Sequence, residues 1–240
     1  MKLYMVRHGE TECNVQRVYY GSLDVPITEK GRQQAEAVGD MLRNVAFDQV
    51  IVSGLCRTRQ TAEAILSRLE TEPGKICSIP AFNEMNFGAW EGLHYTEVRE
   101  RYPEDYRAMA GDWQHCGPSE GERFTDFSRR VWAGWKALSS KETFKKAENV
   151  LFVGHSGPMQ CLMCHFLGMD VSNIWHLEIR QGVYTEFEIV DNFPVLKGLN
   201  VDVYKRQRMI WKLGFRRIMR GGVQNIHAVA GLSNWFIMNV

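Results

Sequence analysis

Apolar residues along the chain fall into two alternating patterns. Short apolar runs predict β-strands near residues 2–6, 49–53, 76–80, 149–154, 184–190 and 194–200. Between them, apolar positions recur at helical spacing and predict helices near residues 28–44, 56–70, 94–110, 122–141 and 157–168. Strands that alternate with helices indicate an α/β fold, which we expect to be a three-layer α/β/α sandwich around a mostly parallel six-stranded sheet.

Three of the predicted strands lead into residues suited to phosphate chemistry. Arg7 and His8 follow the first strand, Arg57 lies in the first turn of the helix after the second, and His155 follows the strand at 149–154. An arginine can hold phosphate oxygens, a neutral imidazole can attack phosphorus, and the N–H groups of a first helical turn attract anions. Each residue alone is typical of an ordinary surface charge. Because ligands bind at the carboxyl ends of parallel strands, their convergence predicts a phosphoryl-transfer site.

Hydrolysis of a phosphate monoester also needs an acid that protonates the departing alkoxide. Glu84 and Glu91 compete for this role in the loop-like segment after the predicted strand at 76–80. We prefer Glu84 because it lies nearer the end of that strand, although either carboxylate could be a surface acid.

These positions belong to a larger pattern that resembles the histidine phosphatase superfamily, which includes phosphoglycerate mutases and many small-molecule phosphatases. The resemblance covers about residues 1–201 and implies one domain with a phosphoglycerate mutase-like fold. It rests on Arg7-His8-Gly9-Glu10-Thr11 with Asn14, on Gly21, Asp24, Pro26, Thr28, Gly31 and Gln34-Ala35, on Ser53, Arg57 and Thr61-Ala62, on Glu84, Phe87-Gly88 and Trp90-Glu91-Gly92, and on Gly154-His155.

The resemblance implies a two-step reaction. His8 would be the nucleophile that becomes phosphorylated, and Glu84 would protonate the leaving oxygen and then activate the water that hydrolyses the phosphohistidine. Arg7, Arg57 and His155 would form the phosphate pocket, with no metal or other cofactor needed. Substrate contacts are further expected from Asn14, Gly21, Ser22 and Trp113.

Four stretches are similar to the alpha-ribazole phosphatases, a group within the superfamily that acts late in assembling the nucleotide loop of cobalamin. This similarity implies alpha-ribazole 5′-phosphate or adenosylcobalamin 5′-phosphate as the substrate. The stretches are Asn83-Glu84-Met85-Asn86-Phe87-Gly88, Asp112-Trp113-Gln114, Trp175-His176 with Gln181-Gly182, and Leu199-Asn200. The chain departs from residues common in the superfamily at Gly54 (proline), Thr58 (alanine), Arg123 (serine) and Ser156 (glycine).

Residues 94–122 break the alternation of strands and helices and are predicted to form a helical flap over the pocket. Tyr95, Tyr102, Tyr106 and Trp113 lie there among acidic residues and arginines. Such aromatics could stack on a flat substrate ring such as a benzimidazole, although aromatics at helical spacing more often pack against the core.

Three functions are left open by the sequence. The first is a phosphatase of a small metabolite, either specific or broad in its specificity. The second is a phosphoglycerate mutase-type phosphotransferase, although the chain lacks the longer insertion and the proline-rich substrate segment of mutases. The third is a non-catalytic binding module, which the presence of all the expected catalytic residues disfavours.

Composition narrows the class of protein and its compartment. Among six cysteines, Cys161 and Cys164 are the closely spaced pair, and we interpret them as core residues of an apolar helix rather than zinc ligands. Free thiols, no export signal and no apolar run of membrane length predict a cytoplasmic enzyme acting on a small phosphorylated metabolite. No nucleic-acid or membrane partner is expected, and a homodimer is one alternative for the assembly.

Charge changes abruptly near the end of the chain. Residues 203–240 contain seven basic and no acidic residues, against 22 basic and 28 acidic residues in 1–202. A basic, apolar segment is compatible with a membrane-surface or RNA-binding arm. We favour another interpretation, because Asp202-Val203-Tyr204-Lys205-Arg206-Gln207 is the sequence expected from a translated transposon end used in preparing sequencing libraries. Residues 202–240 are therefore expected to be a non-native read-through tail.

Overall fold

A computed structural model describes residues 1–202, and the predicted read-through tail, apart from Asp202, lies outside the described residues. The strands are β1 Lys2–Arg7, β2 Gln49–Val52, β3 Ile76–Ser78, β4 Asn149–Gly154, β5 Tyr184–Val190 and β6 Phe193–Val201. The α-helices are α1 Glu12–Gln16, α2 Glu29–Leu42, α3 Cys56–Leu66, α4 Tyr95–Arg101, α5 Pro103–Gly111, α6 Phe124–Ser139, α7 Glu142–Lys145 and α8 Ser156–Phe166. Short 3₁₀ helices cover Pro80–Phe82, Gly88–Trp90 and Val171–His176.

All strands join one sheet in the order β3-β2-β4-β1-β5-β6. Strands β1 to β4 run parallel to one another, whereas β5 pairs antiparallel with both β1 and β6. The carboxyl ends of β1, β2 and β4 therefore meet at one edge of the sheet, where a ligand site is expected.

Both faces of the sheet are covered by helices. Leu3 and Met5 of β1 belong to the apolar cluster that contains α6 and α8, while Tyr4 and Val6 belong to the cluster that contains α2 and α3. Successive strand residues point to opposite faces, so continuous apolar runs are needed to fill both layers. The predicted three-layer sandwich with a mostly parallel six-stranded sheet is confirmed.

The predicted single helix at 94–110 is wrong. The segment forms α4 and α5, separated at Tyr102, whose φ of −128° and ψ of 55° are not helical. Pro103 causes the break, because its ring restricts the preceding residue and it cannot donate a backbone hydrogen bond. Helices α1 and α7 were missed because they are too short to show a periodic pattern.

Helix α8 is buried between the sheet and α6, and its cysteines are packed as core residues. Cys161 and Cys164 are buried free thiols, and burial raises the pKa of Cys164 to about 11.

Across residues 1–202, no group of three or more His, Cys, Asp or Glu side chains is arranged to hold a metal ion. The same described part of the chain contains no helix with both the length and the apolar character needed to cross a bilayer.

We expect Phe152→Ala to lower the free energy of unfolding by about 3–5 kcal/mol. Phe152 is fully buried in β4, and its ring meets that of Phe82 edge-on at 5.0 Å, so truncation leaves a cavity between the sheet and the α6 layer. The matched control is Phe193→Ala, because Phe193 is 70% exposed and its loss should cost less than about 0.5 kcal/mol. Urea unfolding of both variants measures the difference, and equal losses would contradict this account of the core.

Candidate active site

The parallel pairing of β1 and β4 places two histidines side by side. Arg7 pairs with Gly154, so the next residues, His8 and His155, leave neighbouring strands at the same level. The His8 N–H donates to the Gly154 carbonyl oxygen at 2.9 Å, and the centroids of the two imidazoles are 5.1 Å apart. Both side chains are buried, so their protonation is governed by neighbouring groups rather than by bulk water.

The hydrogen bond of His8 identifies which of its ring nitrogens keeps a lone pair. Nδ1 lies 2.8 Å from the carbonyl oxygen of Gly9, which can only accept, so Nδ1 carries the hydrogen and Nε2 keeps its lone pair. Burial, together with the positive charges of Arg57 and Arg7, holds the pKa of His8 well below its ordinary value. His8 is thus a neutral imidazole, the form required for attack on phosphorus.

Arg57 is a completely buried guanidinium on the first turn of α3. It donates to the carbonyl oxygens of Gly21 at 2.8 Å and Leu23 at 2.7 Å, and its Nε donates to Nδ1 of His155 at 3.3 Å. The ring of Tyr20 lies beneath it, 4.9 Å from the guanidinium carbon. These contacts fix a positive charge beside the two histidines, where it can bind an anion.

Glu84 reaches the same site from the loop after β3. Its carboxyl oxygens accept from the N–H groups of Met85 at 3.0 Å and Gly157 at 3.1 Å. Burial nevertheless raises the pKa of Glu84, and this effect outweighs those hydrogen bonds and the charges of Arg57 and Arg7. A carboxyl group with a raised pKa is suited to donating a proton.

Glu91, the competing acid, has a different role. Its carboxylate accepts from the N–H groups of Gly21 at 3.1 Å, Ser22 at 2.7 Å and Leu23 at 2.9 Å, and from that of Phe87 at 3.1 Å. The Ser22 hydroxyl also lies 2.9 Å from both of its oxygens. Glu91 thus shapes the loop whose carbonyl groups hold Arg57, and it does not line the cavity.

The cavity in front of His8 has a cationic floor and an apolar, aromatic wall. Arg7 and Arg57 are its cationic arginines, and Glu84, Ser156 and Gln160 are among its polar groups. The wall includes Met85, Phe87, Met109, Trp113, Phe124 and Trp175. Met109 and Trp113 come from the segment 94–122 that was predicted to form a flap.

The expected site residues separate into two groups. Arg7, His8, Arg57, Glu84 and Trp113 line the cavity, and His155 lies directly against His8 and Arg57. The other three residues, Asn14, Gly21 and Ser22, are not part of the cavity wall.

Asn14 caps the short helix α1. Its Oδ1 accepts from the Thr11 N–H at 3.1 Å and from the Gln181 amide at 3.0 Å, and its own N–H completes a capping box with Thr11. The predicted phosphate contact of Asn14 stays a prediction.

Arg130 was missed by sequence reasoning. It makes two 2.8 Å hydrogen bonds to the carboxylate of Glu122 and donates to the carbonyl oxygens of Ala81 at 3.0 Å and Asn83 at 3.2 Å. Arg130 therefore fixes the backbone immediately before Glu84. Its position in an ordinary amphipathic helix gave no signal of this contact, which depends on how α6 packs.

Comparison with known proteins agrees with this geometry. Residues 3–202 match the family model of the histidine phosphatase superfamily (branch 1). The chain is 37% identical over 212 residues to the adenosylcobalamin/alpha-ribazole phosphatase of Salmonella typhimurium, across 88% of this chain and 99% of the relative. It is also 37% identical over 200 residues to the Escherichia coli K12 protein of the same name, across 83% and 96% of the two chains.

A solved structure of a protein with a similar name also resembles this chain. The alpha-ribazole phosphatase of Shigella flexneri aligns with a TM-score of 0.78 and 36% identity, covering 84% of this chain and 96% of that one. The resemblance drawn from the motif residues is confirmed. Because the family model spans almost all of the described residues, the chain belongs to the histidine phosphatase superfamily, branch 1.

Proposed function

We propose that this enzyme hydrolyses alpha-ribazole 5′-phosphate or adenosylcobalamin 5′-phosphate through a phosphohistidine on His8, during assembly of the nucleotide loop of cobalamin. One observation carries the proposal: a neutral imidazole and a carboxyl group of raised pKa face one cavity whose floor is cationic and whose wall is aromatic. The likeness to enzymes named for these two substrates supports the choice of substrate.

The first step transfers the phosphoryl group to His8. Nε2 attacks phosphorus, the bond from phosphorus to the ester oxygen breaks, and Glu84 gives its proton to that oxygen. Arg7, Arg57 and His155 surround the space for the non-bridging oxygens, where fixed positive charge and hydrogen-bond donors stabilise the transition state.

The second step restores the enzyme. Glu84 is now a carboxylate and takes a proton from water as the water oxygen attacks the phosphohistidine, and Nε2 of His8 leaves phosphorus with its lone pair. Arg130 contributes to both steps by fixing the backbone before Glu84, because a displaced acid loses the short proton-transfer distance.

The cavity wall favours a large, flat leaving group over a small anionic one. Trp113 packs against Phe124 at 4.6 Å and Trp175 at 4.9 Å between ring centroids, which leaves an apolar surface beside the phosphate end. The cationic residues that line the described cavity, Arg7 and Arg57, lie at its phosphate end. A substrate such as 3-phosphoglycerate carries a second anionic group, for which this wall offers no charged partner among the lining residues.

We expect the full chain to release phosphate from the two cobalamin precursors with a higher kcat/KM than from 3-phosphoglycerate or an aryl phosphate. Trp113→Ala should raise KM for alpha-ribazole 5′-phosphate about three- to tenfold, because an aromatic contact is lost. Its control is Trp132→Ala, since Trp132 stacks on His165 away from the cavity and its loss should leave KM unchanged.

Other results of the substrate comparison would support different functions. Equal kcat/KM values on all four substrates would support a phosphatase of broad specificity. Isomerisation of 3-phosphoglycerate without net phosphate release would support a mutase and contradict the proposal.

We expect His8→Ala to lower kcat by at least about 10³-fold, because no other described residue that lines the cavity offers an imidazole lone pair. Rapid acid-free quenching of the wild-type enzyme with ³²P-labelled substrate should trap an acid-labile phosphoramidate on the peptide that contains His8. Label on another residue, or turnover that survives the substitution, would rule out the mechanism.

We expect Glu84→Gln to lower kcat/KM by about 10²–10⁴-fold for alkyl phosphates and far less for aryl phosphates, whose leaving groups need no proton. The acid must be protonated, so wild-type kcat/KM on alkyl phosphates should fall as pH rises through the raised pKa of Glu84, and the variant should lack this decline. Glu91→Gln is the control, because it loosens the loop holding Arg57 and should slow both substrate classes alike. The same even loss in Glu84→Gln would exclude Glu84 as the acid.

A further inference from the structure

Hydroxyl groups form a continuous hydrogen-bonded chain behind His155. Thr58 Oγ1 lies 2.8 Å from the carbonyl oxygen of Leu55 and 3.0 Å from Ser53 Oγ, and Ser53 Oγ lies 2.8 Å from Nε2 of His155. Thr58 and His155 are completely buried and Ser53 is nearly so, which shields these bonds from bulk water. Alanine at position 58 could not form this chain.

The hydrogens in this chain can be assigned by counting donors. A carbonyl oxygen only accepts, so the single hydroxyl hydrogen of Thr58 points to Leu55 and Oγ1 accepts from the hydroxyl of Ser53. Ser53 has then used its own hydrogen and accepts from His155. Nε2 of His155 therefore carries a hydrogen.

The contact on the other side of the His155 ring independently indicates the same tautomer. Nε of Arg57 lies 3.3 Å from Nδ1 of His155, and a guanidinium has donors only, so Nδ1 presents its lone pair. His155 is thus held as the Nε2–H tautomer from both sides.

We propose that Thr58 is a positioning residue that, through Ser53, holds His155 in the Nε2–H tautomer, so that Nδ1 accepts from Nε of Arg57 and fixes the guanidinium that binds the phosphoryl group. The inference rests on the proposed function only in that a phosphoryl group occupies the cavity. The guanidinium is then held by the carbonyl oxygens of Gly21 and Leu23 and by this ring nitrogen.

Loss of the Thr58 hydroxyl would change what Ser53 can do. The Ser53 hydrogen would be free to turn toward Nε2, which favours the opposite tautomer. In that tautomer Nδ1–H would face the Nε–H of Arg57, donor against donor. We therefore expect Arg57 to be held less firmly and phosphate binding to weaken.

The charged and titratable groups around His155 do not supply an alternative partner for Nε2. Positive charge from several elements lowers the pKa of the ring, in addition to burial, whereas the Glu84 carboxyl is held by the N–H groups of Met85 and Gly157. The contributing residues are Arg57 on α3, His8 and Arg7 at the end of β1, and Arg130 on α6.

The test compares Thr58→Val, which removes the hydroxyl at nearly constant volume, with Thr58→Ser, which keeps it. In ¹⁵N NMR spectra of the ligand-free full chain, His155 of the wild type and Thr58→Ser should show a protonated Nε2 and an unprotonated Nδ1. Thr58→Val should show a mixture of tautomers. Thr58→Ala provides the same comparison if the valine variant does not fold, because alanine is smaller than threonine and is well suited to a helix.

Inhibition by inorganic phosphate supplies the functional readout, and it needs no assumption about the natural substrate. Thr58→Val should raise the Ki for phosphate about fivefold, as expected for one buried hydrogen bond. Thr58→Ser should match the wild type in both Ki and ¹⁵N shifts. Unchanged ¹⁵N shifts, or an unchanged Ki in both Thr58→Val and Thr58→Ala, would overturn the proposal. Failure of the alpha-ribazole assay would contradict the proposed substrate and leave these readouts intact.

Discussion

The parallel hydrogen bonding of β1 with β4 is the constraint on which the site depends. It sets Arg7 opposite Gly154, and the two histidines that follow are neighbours without any further adjustment. Because side chains alternate along a strand, a shift of one residue would turn His8 to the opposite face and bury it in an apolar layer. The apolar clusters on both sides of the sheet resist such a shift, since each assigns alternate residues of β1 to its own layer. Core packing and catalytic geometry are therefore set by the same register.

The buried guanidinium of Arg57 then determines the electrostatics of the candidate site. Arg57 would be costly to bury alone, but three of its N–H groups donate to Gly21, Leu23 and His155. Its charge contributes to lowering the pKa of both imidazoles, which favours their neutral forms. In the proposed mechanism a bound phosphoryl group brings compensating negative charge. The same guanidinium would then prepare His8 for attack and attract the group that it attacks.

The sequence was sufficient to predict the site residues whose positions follow from the order of the strands along the chain. Arg7 ends β1, while His8 and His155 directly follow β1 and β4, and the sheet topology brings such positions together by a general rule. The choice between Glu84 and Glu91 could not be settled in this way, because it depends on contacts between distant segments. Glu91 is occupied by the loop that begins at Gly21, which only the folded chain reveals. The break at Pro103 was readable in principle, since proline limits the residue before it.

The two halves of the cavity have different structural origins, and this bears on how specificity is encoded. The phosphate half is built at the ends of β1 and β4 and on α3, where backbone hydrogen bonds fix every position. The aromatic half draws Met109 and Trp113 from the segment that Pro103 divides into two short helices. Short helices depend on packing rather than on their own cooperativity. Substitutions in that segment can therefore change the shape of the wall while the phosphate half and its chemistry stay as they are.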